Sequence, residues 1–335
     1  MRPVAIDALG GDHAPGVAVA GAVAAARELA SPIVLVGQEE AIRSELRKHR
    51  LSGLPVGVHH AAEVVTMDDN PVEAMRRKRG SSIHVGLELV RSGEVGAFVS
   101  AGNSGAVMAS AVRVLGRLPG VGRPAIAVEL PSRSHPVTLL DAGANVDPKP
   151  EHLIEFAVMG DVIGRTLRGI PSPRIGIVSN GEEPSKGTEA TRLADRALRR
   201  MPLSYVGYVE GRDLMAGKVD VAVTDGFTGN VILKTIEGFG SFLFEALRKT
   251  SRSNVLTMFG FLCARGAFKK LHGLVDHEAV GGAPLVGVNG VTIIAHGGSS
   301  PRAIQNAIRV GAEAAAADIP GRILEALNTA SAPGR

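Results

Sequence analysis

Short apolar runs alternate along this chain with longer amphipathic stretches. The runs fall at residues 3–7, 32–36, 56–60, 95–100, 125–130, 136–141, 174–178, 205–208, 219–224, 284–288 and 291–295. Runs this short and apolar predict buried strands, and the helical patterns between most of them predict crossover helices. Such alternation specifies an α/β fold with a largely parallel sheet covered on both faces. Two places break it. AIAVELPSRSHPVTLLD and PLVGVNGVTIIAHG each hold two strands with a short connection, the second with an Asn289-Gly290 hairpin turn, so the sheet is expected to be mixed. Asp68-Asp69-Asn70 before Pro71, and Ser299-Ser300 before Pro301, each place a capping side chain next to a proline at the first helical position. The length allows one large α/β domain or two. With no repeat and no linker visible, the chain reads as a single α/β/α unit over 1–335.

Five of the apolar runs stop in short loops of Gly, Asn, Asp, Ser or Thr, most of which open into a helix: VAIDALGGDHAP, FVSAGNSGAVMASA, LLDAGANVDPKP, IGIVSNGEEPSKGTEA and VAVTDGFTGNVILKT. A helix that starts just past a strand directs free backbone N–H groups and its positive dipole end at the crevice beyond the strands, which makes an anion site. Neither standard nucleotide fingerprint is present. The GxGxxA string from Gly120 to Ala125 precedes a strand and contains Pro124, and GEEPSKGT from Gly181 to Thr188 has Lys and Gly in the wrong order for a P-loop. A nicotinamide pocket would be expected to leave a Gly-rich strand-to-helix turn with an acidic residue some 20 positions on, which disfavours a dehydrogenase. The loops therefore suit a phosphate or carboxylate handler outside the ordinary nucleotide enzymes.

Composition narrows the setting. A hydrophobic share of 45% and a charged share of 21% describe a compactly folded chain. The one cysteine, Cys263, forms no internal disulfide, and Met1-Arg2-Pro3 leads into a strand without a signal-type apolar region, so a cytosolic protein is expected. The uncharged stretch 279–301 carries six glycines and is not a membrane-spanning helix. A net charge of +4, without RNA-module aromatics or zinc spacing, gives no reason to expect nucleic acid but suits an acidic partner. Six of the nine phenylalanines lie between Phe239 and Phe268, at helical spacing and interleaved with Arg248, Lys249, Arg252, Arg265, Lys269 and Lys270. This predicts an amphipathic helical hairpin at about 238–275, with Phe259 and Phe261 on its apolar face. It either lies on an anionic membrane or an acidic partner, or forms a dimer interface or ordinary core.

Read together, AIDALGGDHAP at 5–15, DNPVEAMRRKRGSS at 69–82, SAGNSGA at 100–106, DAGANVDPKP at 141–150, SNGEEPSKGTEA at 179–190, DGFTGN at 225–230 and HGGSS at 296–300 resemble the bacterial phosphate acyltransferase family. The resemblance covers nearly the whole chain. It implies acyl transfer from acyl carrier protein thioesters to inorganic phosphate, giving acyl phosphate for glycerol-3-phosphate acylation in phospholipid synthesis. It also implies a Rossmann-like three-layer α/β/α fold related to phosphotransacetylases and the isocitrate dehydrogenase group. A homodimer, no metal or organic cofactor, and peripheral association with the inner face of the cell membrane beside a downstream membrane glycerol-3-phosphate acyltransferase are further implications. Ser104 stands where Thr is more usual after Asn103 and keeps the hydroxyl.

That chemistry asks mainly for positioning. Phosphate is already a nucleophile near neutral pH and a thiolate leaves without strong acid assistance, so no Ser-His-Asp triad is needed. The site must cradle phosphate, aim donors at the carbonyl oxygen as charge develops there, and exclude water. On this basis Lys186, Asn180 and Asp225 are the catalytic candidates. Lys186 steadies phosphate or the oxyanion with Glu182 and Glu183 orienting it, or else is a surface lysine at a helix start. Asn103, Asn145, Asn180 and Asn230 either hold an anion or carbonyl as neutral donors or serve tight turns. Among Asp7, Asp12, Asp147 and Asp225, some are expected to hold loops through backbone N–H bonds, with Asp225 positioning a reacting group. Gly10, Gly11, Ser104, Gly105, Gly226 and Gly297 complete the expected binding loops. His13 and His296 either donate to phosphate or the leaving sulfur or are structural. Arg76, Arg77, Lys78 and Arg79 form the densest charge run. The run is a solvated face, a docking surface for an acidic carrier, or, since the family motif includes Arg76 and Lys78, in part a wall of the site. A coenzyme A-dependent phosphotransacetylase and a non-catalytic lipid-responsive scaffold are the alternative readings.

Overall fold

The computed structural model describes residues 2–29, 31–251, 255–268 and 281–331. Among the described residues, twelve strands form two sheets. The first takes β1 (Val4–Asp7), β2 (Ile33–Gly37), β3 (Val56–His60), β4 (Ala97–Ser100), β5 (Ala125–Ile126), β11 (Ala283–Val286) and β12 (Val291–Ile294), in the order β3-β2-β1-β4-β12-β11-β5. The second takes β6 (Val128–Leu130), β7 (Val137–Leu140), β8 (Ile175–Val178), β9 (Tyr205–Val209) and β10 (Val221–Val223), in the order β6-β7-β10-β8-β9.

Sheet one is parallel from β3 to β12, and sheet two from β7 to β9. The antiparallel pairs are β11–β12, β11–β5 and β6–β7. Both predicted hairpins are therefore present and the fold is mixed as expected, but one sheet is replaced by two. The apolar run 125–130 divides at Ala127, whose amide donates to Pro284 at 3.0 Å. Residues before it pair with β11 and residues after it with β7. An apolar run looks the same in sequence whether it keeps one partner or changes it midway.

Helices cover both faces of each sheet, which gives the three-layer arrangement. On sheet one, α1 (Gly16–Leu29), α2 (Glu39–Leu46) and α11 (Pro301–Ala316) share one face with the strand residues Val4, Ile6, Ile33 and Val99. The opposite face packs Phe98 and Ala5 under α4 (Ser82–Ser92) and α5 (Ser104–Val114), with α3 (Pro71–Arg77) against α5. The first of these cores continues into sheet two through α6 (Pro150–Thr166) and α12 (Ile319–Ser331), reaching Phe156, Ile175 and Val221. The remaining helices on sheet two are α7 (Glu189–Leu198), α8 (Gly211–Ala216) and α9 (Gly226–Ser251). The two proline-marked starts are as predicted: Asn70 caps α3 and Ser300 caps α11 through their side chains.

The aromatic segment is helical, but its first helix starts earlier than 238. It is α9, which leaves the β10 loop at Gly226 and runs 26 residues, about 39 Å. Its inner turns pack Ile232, Leu233 and Ile236 on sheet two, whereas Phe239 and Phe242 are exposed. The second helix, α10 (Val255–Cys263), exposes Met258 and Phe259.

Candidate active site

Parallel neighbouring strands end at one edge of their sheet, so the loops after β1, β4 and β12 meet. Asp7, the last residue of β1, is buried, and its carboxylate accepts from Ser100 Oγ at 2.7 Å and from the Leu9 amide at 3.1 Å. Burial pushes this carboxyl above the usual range, against the hydrogen bonds of Ser82, Ser100 and the Leu9 and Gly10 amides. The tie needs glycine above it. A Cβ on Gly10 would sit 2.5 Å from Asp7 Oδ2 and 2.7 Å from the Gly102 nitrogen. The Asp12 amide then donates to the Gly297 carbonyl at 2.9 Å, joining the first loop to the one after β12.

Asn103 finishes this wall. Its Oδ1 accepts from the Ala106 amide at 3.1 Å and caps α5, while its Nδ2 reaches the carbonyls of Met67 at 3.2 Å and Asp69 at 3.0 Å. The amide of Asn103 is thus committed to holding segment 66–70. The cap satisfies Ala106 and leaves the backbone amides of Ser104 and Gly105 at a helix start, where the dipole favours an anion.

The second wall comes from sheet two and is held differently. Asp141, fully buried, accepts five hydrogen bonds: from the amides of Ile126 (3.0 Å), Gly143 (3.2 Å), Ala144 (3.0 Å) and Asn145 (2.6 Å), and from Asn145 Nδ2 (2.9 Å). Asn145 Nδ2 also donates to the Pro124 carbonyl at 2.7 Å, so this side chain is structural. The Gly226 amide donates to the Asn145 carbonyl at 2.6 Å, and a Cβ on Gly229 would lie 1.9 Å from the Asp141 carbonyl oxygen. Only glycine lets α9 begin that close to the β7 loop. Asp225 caps α9, accepting from the Thr228 amide and hydroxyl at 2.7 Å each.

Between the walls lies a cleft of about 360 Å³. Ser104, His296, Gly298 and Ser299 face it from sheet one, and Gly143 and Asn230 from sheet two. Asn230, Leu233, Lys234 and Glu237 recur at i, i+3, i+4 and i+7, so one stripe of α9 forms its side. Ile126, Val128 and Leu233 give it an apolar flank; Lys234 pairs with Glu237 at 2.8 Å, and Glu129 with Arg168 at 3.0 Å. Among the described residues no three His, Cys, Asp or Glu side chains are grouped to hold a metal ion.

Of the residues singled out in the sequence, Ser104, Asn230 and His296 meet in the cleft. Gly10, Gly11 and Asp12 stand behind it as the first-loop tie, and His13 lies exposed beyond them. The fourth loop contributes none of the cleft-lining residues. Asn180 Oδ1 accepts from the Gly187 amide at 3.0 Å and bends that loop, which follows β8, one strand beyond β10. Lys186 is half-exposed there, and no carboxylate pairs with its ammonium among the described residues. The expected orientation of Lys186 by its neighbours is not what forms: Glu182 pairs instead with Lys218 at 3.3 Å, and Glu183 reaches Lys186 only through its carbonyl, 2.9 Å from the Lys186 amide. In the outer segment Arg248, Lys249, Arg265 and Phe259 are exposed, while Phe261 stacks on Phe268 at 4.6 Å. Arg252, Lys269 and Lys270 lie outside the described residues. Asp141 and the α9 stripe were missed in the sequence. A lone Asp opening a strand-end loop was the available signal for the first.

A strand-end cleft between two such sheets defines a class of three-layer α/β/α scaffold, and solved structures share it. A phosphotransacetylase from Streptococcus pyogenes superposes with a TM-score of 0.59 at 19% identity, covering 95% of this chain and 94% of that one. A branched-chain phosphotransacylase from Enterococcus faecalis V583 superposes with a TM-score of 0.60 at 15% identity, covering 94% and 99%. At that identity the likeness speaks for the fold alone. The family model described as "Fatty acid synthesis protein" matches residues 2–322. A phosphate acyltransferase from Anaeromyxobacter sp. (strain Fw109-5) is 54% identical over 328 residues, 98% of this chain and 91% of its own. The chain belongs to the phosphate acyltransferase family and is an acyltransferase.

Proposed function

We propose that the cleft joins inorganic phosphate to a long-chain acyl group delivered as a thioester of acyl carrier protein. One observation carries this reading. The anion-favouring start of α5 at Ser104 faces the neutral amide of Asn230 across a cleft whose flank, Ile126, Val128 and Leu233, is apolar. Phosphate sits at the α5 start, where backbone amides hold it without quenching its nucleophilicity. Its oxygen attacks the thioester carbonyl carbon. Asn230 Nδ2 donates to the carbonyl oxygen as negative charge develops there, a contribution of about 3 kcal/mol for one well-placed donor. The C–S bond then breaks, the sulfur leaves as thiolate on the carrier, and the acyl phosphate carries the new C–O bond. Lys186, on the loop beside that of Asn230 and without a carboxylate partner among the described residues, is assigned the role of steadying phosphate or the oxyanion. Asp225, by fixing the first turn of α9, sets where Asn230 points.

Supplying the protein with phosphate and either palmitoyl carrier protein or acetyl-coenzyme A tests this directly. Acyl phosphate from the carrier-bound donor is expected. Product from acetyl-coenzyme A alone would instead make the protein a phosphotransacetylase, and product from neither would favour a scaffold.

A second reading concerns location. Phe239, Phe242, Met258 and Phe259 are each more than half exposed, with Arg248, Lys249 and Arg265 beside them. No described helix is long and apolar enough to cross a membrane. The aromatic and basic character of this arm supports peripheral contact with an anionic membrane, where acyl phosphate would pass to a membrane glycerol-3-phosphate acyltransferase. The exposed Phe239 and Phe242 on α9 also support a homodimer, built from one α/β/α unit per chain.

A further inference from the structure

The helices over one face of sheet one carry guanidinium groups that neither the cleft nor the core uses. Arg76 and Arg77 end α3, Arg79 follows it, and Arg113 lies in the last turn of α5; all four are exposed. Among the described residues none of the four has a carboxylate within ion-pair distance, although Arg91 nearby pairs with Glu88 at 2.5 Å. Lys78, in the same run, turns inward instead. Its Nζ lies 2.5 Å from Asp69 and 2.9 Å from the Val64 carbonyl, which closes segment 64–69 onto α3.

The helices that carry these charges adjoin, since α3 and α4 both pack against α5. His84 on α4 is held below the usual imidazole range first by burial and then, against Glu88, by the charges of Arg79, Arg91 and Arg113. Of the acids flanking α3, Asp68 and Glu73 sit at its other end, before and within the first turn, where the helix dipole accommodates them, while the Glu63 carboxylate accepts from the Gly80 amide at 2.7 Å, next to Arg79. At the first-turn end of α3, on the side of the cleft, Met67 and Val72 are 51% and 47% exposed.

The patch also abuts the cleft. Pro71, the first residue of α3, packs 2.8 Å from where a Cβ of Gly105 would lie, one residue from Ser104 in the cleft wall. The Met67 methyl group lies 3.3 Å from the equivalent point on Gly297. The seven residues of α3 span about 10 Å, so every guanidinium in it is within a short arm's reach of the reacting centre.

We propose that this α3–α5 face docks the acidic carrier that delivers the acyl group. Arg76, Arg77, Arg79 and Arg113 meet its carboxylates, Met67 and Val72 meet its apolar surface, and the thioester arm enters the cleft past Ser104. The inference rests on the acyl-transfer reading above. Unpaired, exposed arginines, with two exposed apolar side chains between them and the cleft, suit a carboxylate-rich protein surface. The patch carries no aromatic residue for stacking on bases or anchoring in a lipid interface, and the exposed aromatics are gathered on α9 and α10.

The test compares two donors of the same acyl chain, one on acyl carrier protein and one on a small pantetheine thioester, with wild type and the Arg77→Glu/Arg79→Glu variant. The variant is expected to raise KM for the carrier-bound donor roughly tenfold at low salt. Its kinetics with the small donor should stay at the wild-type values, and the KM difference should shrink near ~0.5 M salt. Unchanged melting temperature checks the fold, and Arg113→Ala should raise the same KM by a smaller factor. Equal change with both donors, or no change with either, overturns the docking face. Wild-type turnover of the small donor alone overturns the carrier assignment with it, and turnover of neither donor overturns the acyl-transfer reading itself.

Discussion

The two walls of the cleft solve the same problem in different ways. Each begins with a buried aspartate at a strand end, Asp7 as the last residue of β1 and Asp141 directly after β7. Asp7 shares its wall with Asn103 and with the backbone bond from Asp12 to Gly297, and its carboxyl is pushed up by burial. Asp141 alone gathers five donors, one of them from Ile126 at the crossing between the sheets. A wall with shared supports tolerates loss of one of them. A wall in which one carboxylate takes five donors is more sensitive to its loss, because each donor left behind in the interior costs the full desolvation penalty.

The largest effect should therefore come from Asp141→Ala, which is expected to cost about 3–5 kcal/mol in urea unfolding and to abolish turnover. Asp7→Ala, measured in the same way, should cost about 1–3 kcal/mol. Equal costs would erase the contrast between the walls.

Next in size, Lys186→Ala should lower turnover by roughly 100-fold with an unchanged melting temperature. Lys234→Ala, which removes a cation already paired with Glu237, should cost far less. The reverse ranking in a steady-state assay would move the working cation from the fourth loop to the cleft wall.

A smaller signature lies in the pH dependence of stability. With its pKa raised, native Asp7 holds a proton that the unfolded chain has released above about pH 3.9, so its contribution falls as pH rises from there through the native value. Asp220 acts oppositely. Burial would raise its pKa, but Arg174, at 3.0 Å, outweighs that and lowers it, so its contribution is lost as pH falls. Subtracting the melting curves of Asp7→Asn from those of wild type removes Asp220 and should leave only the descending slope. A flat difference would mean that Asp7 is not strained by burial.

The smallest effect on chemistry should come from Phe259→Glu, which is expected to weaken liposome binding several-fold while turnover of a soluble donor persists. Equal liposome binding would count against membrane contact by this arm. Phe261→Glu is a poorer probe, since that ring stacks on Phe268.

Strand positions were legible because a buried strand writes its own apolar run, and the capped starts at Asn70 and Ser300 because capping is local. The split at Ala127 was not, since only the distant Pro284 carbonyl and β7 decide where each half pairs. The hairpin was read from about 238 because the phenylalanines mark the outer turns of α9, whereas its inner turns alternate cleft-facing and sheet-facing residues. For the site, Ser104, Asn230 and His296 were found through the loops that carry them. Asp141 was passed over because five donors converging on one carboxylate is a property of the folded loop, and the partner of Glu182 because Lys218 lies 36 residues away.

The central claim is that Asn230, at the start of α9, stabilises the carbonyl oxygen while phosphate attacks from the α5 start. The rate of acyl phosphate formation by Asn230→Ala, at saturating phosphate and donor, tests it most directly. A fall of roughly 100- to 1,000-fold with the wild-type melting temperature retained is predicted. A rate within about twofold of wild type, about 0.4 kcal/mol against the ~3 kcal/mol of one well-placed donor, would contradict it.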